Sequence, residues 1–220
     1  FDFTLLEFWQ LSPAAAEAYW AAEWDAIASY ADAPVFVWPI HDYAVAQWST
    51  EGTSPYQTAM FTNWVQRAYQ EGSEFVTLTD LAARIAAMKA ATLTTSISGN
   101  TITANVAASN VGTFALDIDG QGSLVVQNVA GWYAYSNRSV YLPAAGGNFT
   151  ITMGAAQDDV THITDLPMRA SLIAVSGDGR NLAFSVNGEG QVVIDLQALG
   201  TNTIQVSGAR VAREQTSATS

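Results

Sequence analysis

The chain has 220 residues, 49% of them hydrophobic, and its 20 acidic and 8 basic residues give a formal charge of −12. This charge repels nucleic-acid phosphates and anionic lipid headgroups, so we expect no nucleic-acid partner and no membrane partner. The chain has no cysteine, which excludes disulfides, thiolate metal ligands and thiol nucleophiles. No apolar run reaches the roughly 20 residues that a membrane-spanning helix needs.

The first 91 residues alternate predicted strands and helices. Apolar periodicity, a capping serine followed by proline, and turn residues together predict six elements. In chain order these are a strand at 1–6, a helix at 14–30, a buried strand at 35–40, a helix at 56–70, a strand at 74–78 and a helix at 79–91. Strands alternating with helices indicate an α/β segment.

After residue 91 the pattern changes to short alternating segments, separated by turn signals about ten residues apart. The clearest alternating segments are 101–106, 149–153 and 192–196, and the turn signals lie at 99–100, 119–120, 146–147, 177–179 and 187–188. Such spacing predicts an all-β sandwich of about eight or nine strands. We therefore predict two domains, an α/β segment at 1–91 and a β-sandwich at 92–220.

The two histidines of the chain are His41 and His162. His41 follows the predicted buried strand, at the carboxyl end where α/β sheets and barrels build their active sites. That position makes His41 a candidate catalytic residue. The alternative is a structural histidine that hydrogen-bonds the next loop.

An apolar strand, His41, a helix and then Tyr-Gln-Glu-Gly-Ser-Glu-Phe-Val-Thr-Leu-Thr-Asp-Leu at 69–81 follow one another in this chain. This succession resembles the end of the NodB-like polysaccharide deacetylases, the family 4 carbohydrate esterases. Those domains close with a helix, a glycine and a Phe-Val-Thr-Leu segment, and they carry a Leu-x-His motif. The resemblance implies that residues 1–91 end a deacetylase-type β/α barrel, with His41 as general acid.

The same resemblance implies metal-assisted hydrolysis of N-acetyl groups on an amino-sugar polymer. A divalent metal, expected to be zinc, would polarise the acetamide, and His41 would protonate the leaving amine. The family's metal ligands, an Asp-Asp pair and a His-x-x-x-His, lie upstream, so this chain supplies no metal ligand. The expected substrate-binding residues are Trp38, Asp42, Tyr43 and Trp48, although the last two aromatic rings alternatively pack the loop.

Three further patterns lie in the predicted sandwich. Asp117 to Gly122 resembles the opening of a calcium loop, but it lacks the terminal glutamate and favours a hairpin turn. The segment from Asp158 to His162 favours a polar loop in which the histidine is hydrogen-bonded locally. Four aromatic residues lie around one predicted hairpin, and two interpretations stay open: their rings bind a glycan, or some of them face the core. They are Trp132, Tyr133, Tyr135 and Tyr141.

We therefore expect the C-terminal part of an extracellular, bacterial polysaccharide de-N-acetylase, secreted or at the cell surface. The chain lacks an initiator Met, so its missing N-terminal part is an expected partner beside the polysaccharide, and the fragment alone is expected to be inactive. Residues 39–41, Pro-Ile-His, depart from Leu-x-His. Because of this departure, two alternative functions remain: a non-catalytic carbohydrate-binding protein, and a surface or fibre protein that retains the fold. The oligomeric state is also open, and a homo-oligomer is one alternative.

Overall fold

The computed structural model describes residues 2–30, 34–37, 56–109, 112, 114–197, 205 and 207. The chain divides into two compact units, Phe1–Ser73 and Glu74–Ser220. The described part of the first unit contains helices, and the second unit contains one helix followed by antiparallel strands. None of the described helices is long and apolar enough to span a membrane.

The first unit is built around two α-helices. A short π-helix, Thr4–Phe8, precedes α1, Pro13–Tyr30, and α2 spans Thr58–Gln70. Buried side chains from these elements and from Tyr56, two residues before α2, form one core; they are Leu5, Leu6, Ala16, Trp20, Tyr56 and Met60. The helices predicted at 14–30 and 56–70 are thus confirmed.

The strand predicted at 1–6 is wrong, because this segment is helical. Leu5 and Leu6 are adjacent and both are buried in the core. A strand would send two adjacent side chains to opposite faces, whereas a helical turn lets both contact the same cluster. Within 2–30, 34–37 and 56–73 no strand is present, so the described residues give a helical rather than an α/β first unit.

Only part of the predicted buried strand at 35–40 can be compared with the structure. Residues 34–37 have no regular secondary structure, and residues 38–40 lie outside the described part of the chain. Val35 and Val37 are both exposed, whereas Phe36 between them is half-buried. This alternation does not match a strand that is buried on both faces.

The second unit begins with α3, Leu78–Ala90, which confirms the helix predicted at 79–91. The Thr77 side chain accepts a hydrogen bond from the Asp80 backbone N–H at 3.1 Å and caps the helix. Arg84 binds both Glu74 carboxylate oxygens, at 2.7 and 2.8 Å. The strand predicted at 74–78 is wrong, because the segment before α3 has no strand partner among the described residues and is tied to the helix instead.

Ten strands follow in the described residues. They are β1 Thr92–Ser98, β2 Thr101–Ala107, β3 Phe114–Asp117, β4 Val125–Val129, β5 Ser139–Leu142, β6 Gly146–Gly154, β7 His162–Asp165, β8 Ala170–Gly177, β9 Leu182–Gly188 and β10 Val193–Asp195. The order β1-β2-β6-β4 forms one sheet, and β3-β5, β7-β10 and β8-β9 form two-stranded sheets. All these pairs are antiparallel, and none of the sheets closes on itself.

The main core of the second unit lies on one face of the four-stranded sheet. Phe149, Ile151 and Met153 alternate along β6, so all three point to the same face. Buried residues of β2, β4 and β5 belong to the same core; they are Ile102, Val106, Val126, Val129, Val140 and Leu142. In contrast, all seven residues of the edge strand β1 are exposed.

Of two predicted turns, the one at 117–122 differs from the structure, whereas the one at 146–147 coincides with a turn in which the Gly146 N–H donates to the Pro143 carbonyl oxygen at 2.8 Å. The hairpin turn at Asp117 to Gly122 is wrong, because β3 pairs with β5 and the segment connects two different sheets. The Asp117 carboxylate accepts a hydrogen bond from the Ser139 hydroxyl at 2.6 Å, which holds the end of β3 to β5. Gly146 begins β6 with φ +74°, where a Cβ would lie 2.2 Å from the Val106 carbonyl oxygen, so β2 and β6 approach each other only because this residue is glycine.

The division at Ser73 places α3 in the same unit as the strands. The sequence-based boundary between 1–91 and 92–220 stays a prediction. No residue of α3 is buried, so the helix adds no fully buried side chain to the core of the strands.

Replacing Ile151 tests the core of the second unit. Ile151→Ala should lower the free energy of unfolding by about 2–5 kcal/mol, because the fully buried side chain leaves a cavity in β6. Ile97 lies in the same sheet and is 64% exposed, so Ile97→Ala should change stability by less than about 0.5 kcal/mol. Urea denaturation followed through the NMR signals of the strands measures both, and equal losses would contradict this core.

Candidate functional site

The residues that the sequence singled out for catalysis and substrate binding are Trp38, His41, Asp42, Tyr43 and Trp48. All five lie outside the described residues. Their assignment as a catalytic acid and substrate contacts therefore stays a prediction. The described part of the first unit presents a different candidate site, formed by α1 and α2.

A groove of about 170 Å³ lies between α1 and α2. Helical spacing brings its residues to facing sides of the two helices, since positions three or four apart share a face. We call it the α1/α2 groove, and it is lined by Glu17, Trp20, Ala21, Asn63, Trp64 and Arg67. Aromatic rings and polar side chains therefore meet in one concave place.

The aromatic wall of the groove belongs to a larger cluster of rings. The Trp20 and Trp64 rings lie 5.8 Å apart, and Trp24 meets Trp64 edge-on at 5.1 Å. Phe36 stacks on Trp24 at 3.9 Å with an interplanar angle of 13°. Trp20 and Trp24 are buried, whereas Trp64 is only half-buried. Trp64 is therefore the aromatic ring that a molecule in the groove would contact.

Polar contacts tie the two helices together around these rings. Asn63 donates a hydrogen bond to the Glu17 carboxylate at 2.9 Å. Arg67 contacts Asp25 at 2.5 Å and Glu71 at 2.8 Å, and the indole N–H of Trp24 also donates to Glu71. These contacts keep the groove residues in fixed positions. Because the ion pairs are partly exposed, they add little to stability.

The groove has a surplus of negative charge. The hydrogen bond from Arg67 to Glu71, with the nearby charges of Glu71 and Asp25, raises the pKa of Arg67 above its ordinary value, so this residue stays charged. Its single positive charge faces two carboxylates, while Glu17 is bonded to a neutral amide. Residues 1–73 contain nine acidic residues and one arginine, with no lysine, for a formal charge of −8.

A second polar feature lies in the core of the strand unit. His162 is fully buried as the first residue of β7, and its ring stacks on Tyr135 at 4.2 Å. The imidazole Nδ1 lies 2.8 Å from the Val160 carbonyl oxygen, so the predicted local hydrogen bond is present. The predicted loop placement of His162 is wrong, because the residue pairs within a strand. The Tyr135 hydroxyl and the His162 Nε2 are buried without a hydrogen-bond partner.

The described residues offer neither an open aromatic platform on the strands nor a metal site. Trp132 donates to the Tyr141 carbonyl at 2.9 Å, and Tyr141 donates to the Thr164 carbonyl at 3.1 Å. Trp132, Tyr133 and Tyr141 are half-buried and Tyr135 is buried, which favours the core alternative over glycan stacking. No three His, Asp or Glu side chains of the described segments come together as a possible metal site.

The sequence contains a signal for the α1/α2 groove, but this signal has the form of an ordinary amphipathic pattern. Glu17, Trp20 and Trp24 recur at helical spacing in α1, as do Asn63, Trp64 and Arg67 in α2. Only the packing of the two helices shows that these faces leave a groove between them. No family model, curated protein or solved structure matches this chain significantly.

Tyr135 gives the strand unit a pH dependence. Burial, with a smaller effect of the nearby Asp158 charge, raises the pKa of Tyr135 to about 12. A raised pKa means that the folded state favours the neutral phenol. Its contribution to stability is therefore complete below about pH 10 and is lost as the pH rises to about 12.

We expect Tyr135→Phe to reduce this alkaline loss of stability. The substitution should cost little near neutral pH, because the hydroxyl that it removes has no partner. Urea denaturation of the strand unit between neutral and strongly alkaline pH measures the effect. Tyr30→Phe removes a phenol that is 92% exposed and serves as the control. An unchanged alkaline slope in Tyr135→Phe would contradict the burial of this hydroxyl.

Proposed function

We propose that this chain is the C-terminal part of an extracellular polysaccharide de-N-acetylase. The observation that carries the proposal is the resemblance of His41 and the segment 69–81 to the end of the NodB-like deacetylases. His41 is the general acid that protonates the leaving amine as its bond to the acetyl carbon breaks. The substrate contacts are Trp38, Asp42, Tyr43 and Trp48.

Two features of the described chain support a polysaccharide substrate. The first unit has a concave groove with a half-buried tryptophan ring and several hydrogen-bonding side chains. Such a combination suits sugars, which have apolar ring faces and polar edges. The second unit has a core between antiparallel sheets, which is consistent with an accessory β-sandwich attached to the catalytic part.

A divalent metal, expected to be zinc, belongs to the chemistry of this family, where it activates water and polarises the acetamide. The described residues do not fit such a site, since no three potential ligands cluster among them. In this proposal the metal ligands are the upstream Asp-Asp and His-x-x-x-His motifs that the family resemblance implies.

The second candidate function is carbohydrate binding without catalysis. The observation that favours it is the α1/α2 groove itself, whose rings and polar side chains suit a sugar and include no histidine. In this candidate the fold is retained while turnover is lost. The de-N-acetylase should release acetate in the complete protein, whereas the carbohydrate-binding protein should not.

Changing His41 tests the proposed function. In the complete protein, His41→Ala should lower acetate release from an acetylated amino-sugar oligomer by about 100-fold or more, the usual effect of removing a general acid. Bound metal should stay unchanged, because the expected ligands lie upstream. Steady-state acetate release and metal content measure these two effects.

The matched control changes the other histidine. His162→Phe keeps an aromatic ring against Tyr135 and removes both ring nitrogens, so the complete protein should keep its turnover within about twofold. An active His41→Ala enzyme would remove the catalytic assignment. Absence of acetate release from the unmodified protein would leave carbohydrate binding as the function.

A further inference from the structure

The α1/α2 groove combines an accessible aromatic ring with uncompensated negative charge. Trp64 is half-buried and lines the groove beside Glu17, whose carboxylate is bonded only to the neutral Asn63 among the contacts described above. Arg67, the one basic residue that lines the groove, faces two carboxylates from Asp25 and Glu71. A ligand in this place therefore meets a π face and a net negative field.

This chemistry selects a cation with an apolar face. An ammonium group interacts favourably with the face of a tryptophan ring, which is the best aromatic partner for a cation. A carboxylate such as that of Glu17 forms a charge-assisted hydrogen bond with the same group. A sugar that carries a protonated amine has both the positive charge and the flat apolar ring face.

The same features disfavour the other sugar classes. An anionic sugar would be repelled by the surplus of carboxylates and by the charge of −8 on residues 1–73. An N-acetylated sugar has a neutral amide in place of the ammonium, so it loses the attraction to Glu17. A volume of about 170 Å³ is small for a ligand pocket and suits a single sugar ring.

We propose that the α1/α2 groove binds the protonated amino sugar of a de-N-acetylated polysaccharide. The ligand is therefore of the product class of the proposed reaction. The choice of an amino sugar rests on the proposed function. The preference for a cation rests on Glu17, on Trp64, and on the pairing of the Arg67 charge with two carboxylates. The groove holds product units of the polymer, separately from the reaction that releases acetate.

The test uses the whole 220-residue chain and a tetramer of glucosamine in mildly acidic buffer, where its amines are protonated. Isothermal titration calorimetry should detect saturable binding, and the fully N-acetylated tetramer should bind at least about tenfold more weakly. Glu17→Gln should weaken binding of the glucosamine tetramer about tenfold, because one charge-assisted hydrogen bond is lost. The glutamine retains an oxygen for the Asn63 hydrogen bond, so the groove keeps its shape.

Two control variants separate the groove from the overall charge. Glu7→Gln changes the net charge of the chain equally, but Glu7 is exposed and does not line the groove. It should change the dissociation constant by less than about twofold. Trp64→Phe should weaken binding several-fold because a smaller π face remains, whereas Trp9→Phe, at a half-exposed ring outside the groove, should leave it unchanged.

Several outcomes would overturn the proposal. Equal weakening by Glu7→Gln and Glu17→Gln would show attraction by net charge alone, and equal or tighter binding of the acetylated tetramer would remove the preference for a cation. Equally tight binding of a tetralysine peptide would replace the sugar with a basic peptide. No detectable binding would overturn the groove as a site.

Failure of this proposal is distinguishable from failure of the proposed function. His41→Ala tests the reaction alone, because the residues that bind the sugar in this proposal are Glu17 and Trp64, and glucosamine binding should stay unchanged. A complete protein that releases no acetate but binds the glucosamine tetramer through Glu17 would support the groove and contradict the de-N-acetylase. A protein that releases acetate but does not bind the tetramer would support the enzyme and contradict the groove.

Discussion

The first unit depends on the packing of tryptophan rings between α1 and α2. The Trp64 ring of α2 contacts both Trp20 and Trp24 of α1, and Trp20 also belongs to the buried core with Leu5 and Leu6 of the π-helix. Rings of this size bury more apolar area than any other side chain, so they dominate the energy of a small unit. Trp20 and Trp64 also line the groove beside Glu17, Asn63 and Arg67. The same packing therefore stabilises the unit and leaves the groove.

The strand unit is stabilised by an apolar sheet face, and its core also contains two buried polar side chains. The core face of β2, β4 and β6 is apolar, which accounts for the alternation along these strands. In the same unit, Tyr135 and His162 are stacked and buried with unpaired polar atoms. A buried unpaired hydroxyl is costly, so the stability of this unit does not come from that pair. It comes from the apolar face, with the aromatic stack filling space beside it.

The sequence predicted helices better than isolated strands, for a physical reason. The helices at 14–30, 56–70 and 79–91 are confirmed because local capping, spacing and hydrogen bonds define a helix. The strands at 1–6 and 74–78 are wrong because a strand needs a partner that local sequence does not specify. Strands with clear alternation, such as 101–106 and 149–153, are confirmed as β2 and β6, yet the pairing of β3 with β5 was missed because it is non-local.

The candidate site was predictable only in part. The assignment of His41 as general acid rests on a local motif. Because His41 lies outside the described residues, this role stays a prediction. The α1/α2 groove needs two helices that are separated by 27 residues in sequence, 31–57, and no local pattern fixes how they face each other. Glu17 and Trp20 are three residues apart on one face of α1, and Asn63 and Arg67 are four residues apart on one face of α2. The juxtaposition of these two faces, and the ion pair between Arg67 and Asp25, depend on tertiary packing.

The most direct measurement of the central claim is where a bound amino sugar lies among the tryptophans. Isotope-edited NMR on the 220-residue chain, saturated with the glucosamine tetramer, detects magnetisation transfer between the sugar ring protons and the protons of individual indole rings. The packing of α1 on α2 predicts transfer to Trp64, the half-buried ring of the groove. Transfer to Trp9 or Trp132 instead of Trp64 would contradict the claim that these two helices form the sugar-binding groove.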